Sequence, residues 1–127
     1  MNLDRKEVYM VEFESDRELL ELAAKALGLV SYNYESKETY ADCYGNVRAW
    51  NPLEYDEDAY RLMVQLKLRI NYDTVIEYDV VEVFGPERDD FSCDCTTETI
   101  EEDQCASVRR AIVRAAARIG KQMLDSK

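Results

Sequence analysis

Trp50-Asn51-Pro52-Leu53-Glu54-Tyr55-Asp56-Glu57-Asp58-Ala59-Tyr60-Arg61-Leu62-Met63-Val64-Gln65-Leu66 reads as a sharp corner that runs into an acidic helix start and then an amphipathic helix. Pro52 fixes its own φ and biases Asn51 away from the helical region, so the chain leaves the Trp50 strand at an angle. Asp56, Glu57 and Asp58 follow, where carboxylates can cap free N–H groups and meet the positive end of the helix dipole. Ala59, Leu62, Met63 and Leu66 recur at i, i+3, i+4 and i+7, which puts them on one buried stripe.

Upstream of this corner, Val8, Met10, Val11 and Phe13 form a short apolar run that suits a strand or a leading arm. Ser15-Asp16-Arg17-Glu18 is a capping box, and Leu19, Leu22, Ala23, Ala26 and Leu27 are the stripe of a helix over Asp16–Leu27 that Gly28 ends. Leu29–Glu35, Thr39–Tyr44 and Val47–Trp50, with Gly45-Asn46 as a turn, predict a meander of two or three antiparallel strands.

Downstream, Leu68–Tyr72 alternates as a half-buried strand, Asn71–Thr74 supplies turn residues, and Val75–Phe84 predicts a longer strand closed by Gly85-Pro86. Ile76, Tyr78 and Val80 lie on one face of that strand and Val81 and Val83 on the other, which calls for two covered faces or a bulge. Phe91–Thr97 fits an edge strand or an irregular segment. Thr99-Ile100-Glu101-Glu102 is a second capping box, predicted to open a helix over Ile100–Leu124 with Cys105, Val108, Ile112, Ala115, Ile119 and Met123 buried. Together these elements predict an α+β fold: a single domain over residues 1–127, with an antiparallel sheet of four to five strands packed with three helices in α/β/α-like layers.

Two stretches resemble a known family. The run W-N-P-L at 50–53 followed by D-E-D-A-Y-R-L at 56–62, and the Arg- and Ala-rich run Ala106–Gly120, resemble motifs of small tailed-phage and prophage proteins related to the phage α/β/α ("ABA") sandwich group. The family motif often carries Gly where this chain has Glu57. The resemblance implies an origin and a layered fold, and it carries no reaction with it.

The 127 residues carry 27 acidic and 16 basic side chains and no His, for a net charge of −11. Such a surface repels phosphate backbones and anionic lipid, so direct nucleic-acid binding is not expected. The imbalance is uneven: residues 1–104 hold 26 acidic and 10 basic side chains, residues 105–127 hold 1 and 6. The closing helix is therefore basic on an acidic body, and its Arg110, Arg114 and Arg118 can meet that body, water, a protein partner or a second copy in a homodimer. No apolar run reaches membrane-spanning length and no secretory signal is visible, which predicts a cytoplasmic protein.

Absence of His removes the commonest general base, every Ser-His or Cys-His nucleophile pair and the commonest transition-metal ligand. The Cys93-x-Cys95 pair with Cys105 and distant Cys43 matches zinc spacing poorly and suits reduced thiols. No catalytic residue, metal or cofactor is expected. The reading is a non-enzymatic accessory protein that binds a host or phage protein, with Trp50, Tyr55, Asp56, Glu57, Asp58, Glu87, Asp89, Asp90, Arg110, Arg114 and Arg118 as candidate contacts. Two alternatives use the same chain differently. One is an acidic nucleic-acid mimic that inhibits a host defence complex, with Glu101, Glu102 and Asp103 added to its carboxylates; the other sequesters a nucleotide signal in a Tyr-lined pocket.

Overall fold

A computed structural model describes residues 15–34, 37–41, 47–90 and 92–125. The apolar run Val8–Phe13, the Gly45-Asn46 turn and Cys43 lie outside them. Ser15 Oγ accepts the Glu18 N–H at 3.1 Å and starts α1, Asp16–Leu27, as its capping box predicts. Gly28, at φ 78°, ends it: the N–H groups of Gly28 and Leu29 turn back to the carbonyls of Lys25 and Ala24. This Schellman closure needs a left-handed residue.

The expected meander follows as β1 Val30–Tyr34, β2 Lys37–Ala41 and β3 Val47–Ala49, an antiparallel sheet in that order. At the exit of β3, Trp50 packs edge-on against Tyr40 with ring centroids 5.0 Å apart, and both are buried. Helix α2, Asp56–Gln65, buries Ala59 and Leu62 and half-buries Met63 and Leu66, as the stripe requires. It closes with the same Schellman geometry as α1, but Lys67 takes the left-handed position at φ 55° while buried Leu68 donates to Met63.

A second antiparallel sheet, β4 Arg69–Val75, β5 Tyr78–Phe84 and β6 Cys95–Thr99, stands where one longer sheet was expected. The described residues thus form two sheets of three strands, not one of four to five. The predicted turn at Asn71–Thr74 is strand, and the predicted strand from Val75 is broken by a two-residue turn at Ile76-Glu77. Pairing explains the shift. Ile70 and Tyr72 lie opposite Val83 and Val81, so all four share the face whose two valines are fully buried. No bulge is present in this register; Val81 and Val83 point to the core, and Val80 is buried on the opposite face.

The closing helix α3 covers Gln104–Asp125, four residues shorter at its start than the capping box predicted. Thr99 is taken by the sheet, paired with Val80, and the Ile100 N–H donates to Asp79, so the chain is still extended there. Asp103 caps instead, its carboxylate accepting the Ala106 N–H at 3.0 Å. Cys105 and Met123, expected on the buried stripe, are exposed; the buried face runs through Ala111, Ile112, Val113, Ala115, Ala116, Ala117 and Gly120.

Helices α1 and α3 pack together, and α3 lies on β5 and β6. The crossing is set by small residues. A Cβ at Gly120 would sit 1.9 Å from the Leu22 carbonyl oxygen, inside any allowed contact with immovable backbone. Gly120→Ala ordinarily would gain about 1 kcal/mol of helix propensity. Here we predict a loss of about 2 kcal/mol or more, because the two helices must separate; a urea unfolding midpoint equal to or above wild type would contradict it.

Candidate functional site

The acidic start of α2 is consumed by the chain itself. Asp58 is 5% exposed, and its Oδ2 accepts the Asn51 N–H at 3.0 Å; Asn51 Oδ1 in turn accepts the Leu53 N–H. The Asn51 carbonyl accepts from Glu54 and Tyr55, so the Asn51-Pro52 corner is hydrogen-bonded from both sides. From α3, Arg109 Nε donates to the Leu53 carbonyl at 2.9 Å and its Nη1 pairs with Asp56 at 2.6 Å. Only 15% of the Arg109 side chain is exposed, so this guanidinium is a tie between α3 and the corner. Sequence reasoning left Arg109 off the contact list, since its partners lie 53 and 56 residues away.

The other candidate residues divide between core and surface. Trp50, expected at the interface, is 2% exposed and serves packing. Tyr55 and Glu57 are exposed, Glu57 bonded to Arg61 one turn on. Of the basic face, Arg110 pairs with Asp16, Arg114 bonds Glu98 and the Thr97 carbonyl, and Arg118 donates to the Cys95 carbonyl. These guanidiniums bind the chain's own acidic body. Glu87, Asp89 and Asp90 are exposed in the β5–β6 loop, where Asp90 accepts from the Ser92 N–H and hydroxyl.

That loop is clamped at Asp94. Its carboxylate meets Arg88 at 2.6 Å and Gln122 of α3 at 2.6 Å, and its carbonyl accepts the Gly85 N–H. Burial pushes the Asp94 carboxyl up, but hydrogen bonds from Arg88 and Gln122, with the charges of Arg88 and Arg118, outweigh it and hold the carboxyl below its ordinary value. Nearby, Cys93 Sγ accepts from Arg69 at 3.7 Å. Among the described residues, no three His, Cys, Asp or Glu side chains converge as a metal site, and no helix is long and apolar enough to cross a membrane.

An exposed apolar surface lies on the β4–β5 hairpin, whose turn is at Ile76-Glu77 and not at Asn71–Thr74. Beyond Ile70 the β4–β5 hairpin carries Tyr72, Val75, Ile76 and Tyr78, all exposed, with Ile76 at 88%. Ile76 is the first of two turn residues and takes φ 61°, a conformation that favours Gly. For a β-branched residue this is strain of about 1–2 kcal/mol. The Thr74 hydroxyl donates to Asp79 at 3.0 Å across the hairpin just below the tip.

Beside the hairpin is a trough of about 670 Å³. Ile70 and Tyr72 form its floor, Tyr60 and Met63 of α2 one wall, and Val108 and Ile112 of α3 the other. Asp56 and Asp79 stand at its edge, Arg109 is the basic residue of its lining among the described residues, and the exposed Cys105 lies beside it. An apolar concavity of this size with a few polar groups at its edge is the usual form of a binding site. No family model matches the chain, and no curated protein or solved structure was found to be similar to it.

Two predictions follow from the corner and the loop. Asp58→Ala leaves the Asn51 N–H unpaired in a buried corner and should cost about 1–3 kcal/mol, against less than about 0.5 for Glu57→Gln; equal unfolding midpoints for the two variants would contradict the assignment. For Asp94, a folded pKa below the unfolded one means stability present above the unfolded value and lost as pH falls through the folded value, below about pH 4. Urea unfolding should therefore show wild type more stable than Asp94→Asn at pH 6 and the gap narrowing as pH falls below about 4, whereas a constant gap would exclude the ionised clamp.

Proposed function

We propose that this chain is a non-enzymatic accessory protein of phage or prophage origin that works by contacting a host or phage protein through the β4–β5 hairpin. One observation carries this reading: a β-branched residue held in a Gly conformation and 88% exposed at a hairpin tip, Ile76. Folding alone favours Gly there, so an apolar side chain kept at the tip suits a surface selected for contact. Val75 and Tyr78 pair on one face of the hairpin beside it and Tyr72 lies on the other, giving the aromatic and apolar anchors that dominate protein interfaces.

Origin and the α/β/α layering rest on the resemblance of the W-N-P-L corner and the Arg-rich helix to phage proteins. Absence of His supports the non-enzymatic assignment. The nucleic-acid mimic is less favoured, because Asp56, Glu57 and Asp58 are bonded within the chain and Asp103 caps α3; Glu101 and Glu102 remain exposed beside it.

Ile76→Gly separates stability from function. Relief of the left-handed strain should raise stability by up to about 1 kcal/mol. Loss of the tip should lower partner capture from infected or lysogenic cells at least about tenfold, as removal of an interface anchor does. Glu101→Gln with Glu102→Gln and Asp103→Asn should leave capture unchanged. The reverse pattern, capture lost with the carboxylates and kept with Ile76→Gly, would reject the hairpin reading in favour of the mimic.

A further inference from the structure

Resting on that protein-contact reading, we infer that the trough beside the hairpin takes an amphipathic helix of the partner whose apolar face is flanked by Lys or Arg. The walls argue for a helix. Tyr60 and Met63 are spaced i, i+3 on α2, and Cys105, Val108 and Ile112 recur at i, i+3 and i+7 on α3. Both helices turn such a stripe toward the space above Ile70 and Tyr72. That space lies over the helix-facing side of the second sheet, since Tyr72 is opposite buried Val81 in the same register. Among the described residues the helical layer leaves this position uncovered, and ridges at these spacings accept another helix.

The edge argues for positive charge. Among the described residues Asp56 and Asp79 stand at the opening with Arg109 as the basic residue of the lining, and Arg109 is already bonded to Asp56 and the Leu53 carbonyl. Exposed Glu77 adds a further carboxylate at the tip. A second copy of this chain would bring a net charge of −11 against that edge, and its Arg110 and Arg114 are bonded to its own carboxylates. A basic-flanked helix gains from each of these groups, in register and in association rate.

Cys105 supplies the readout. Three synthetic 18-residue peptides with the same Leu stripe are compared on the full chain: one with Lys flanks, one with Glu flanks, and the Lys peptide with two central prolines. Affinity is read by fluorescence anisotropy of labelled peptide, and occupancy by the rate of Cys105 alkylation, followed by mass spectrometry. Only the helical Lys peptide should bind and slow Cys105 alkylation. Glu77→Gln with Asp79→Asn should weaken it about tenfold, and Val108→Trp, which fills the open trough, should abolish both binding and protection.

Equal binding of the Glu peptide, or of the proline peptide, overturns the charge or the helix. Binding that persists in Val108→Trp without protecting Cys105 overturns the site, because it lies elsewhere on the acidic surface. A Cys105 that already reacts slowly in the chain alone overturns it too, the trough then being filled from within. Failure of all peptides while Ile76→Gly still abolishes capture rejects this inference and leaves the hairpin contact standing.

Discussion

The Arg109 guanidinium ties the closing helix to the Pro52 corner and to the start of α2. It is donated from the closing helix to the carbonyl of Leu53, just past the Pro52 corner, and to Asp56 at the first turn of α2. Asp58 holds the other side of that corner through the Asn51 N–H. A charged group this enclosed is stable only with its hydrogen bonds met, so the corner, the helix start and α3 have to form together. The trough walls follow from that tie, because it sets how far α2 stands from α3.

Charge is paired in the same way along α3. The basic face of α3 neutralises Asp16 and Glu98 and caps the carbonyls of Thr97 and Cys95, so the uneven charge along the sequence becomes an internal seam. The exposed apolar groups of the hairpin and the trough stand apart from that seam, with carboxylates at the border. A strained Ile at the tip and an uncovered Tyr72 are features that folding does not require, and they stand on the same hairpin.

The parts legible in the sequence are those decided locally. Ser15, Gly28 and the stripe of Leu19, Ala23 and Leu27 describe α1 without reference to anything distant, and Pro52 with the Ala59-Leu62 spacing does the same for α2. Long-range pairing defeated the rest. Asn71 to Thr74 has turn chemistry but lies in β4, because only that register sets Ile70 and Tyr72 opposite Val83 and Val81. Thr99 reads as a cap yet belongs to β6, and Trp50 reads as a contact residue yet is closed off by Tyr40. The trough was invisible for the same reason: its lining comes from α2, the hairpin and α3, which no spacing in one stretch can join.

The central claim is that the hairpin, and not the exposed carboxylates, meets the partner. Site-specific photo-crosslinking in the cells where the protein acts tests it most directly, with a photoreactive side chain placed at position 76 in one chain and at position 102 in another. The account predicts a discrete protein adduct from position 76 and none from position 102. An adduct from position 102 with none from position 76 would contradict it.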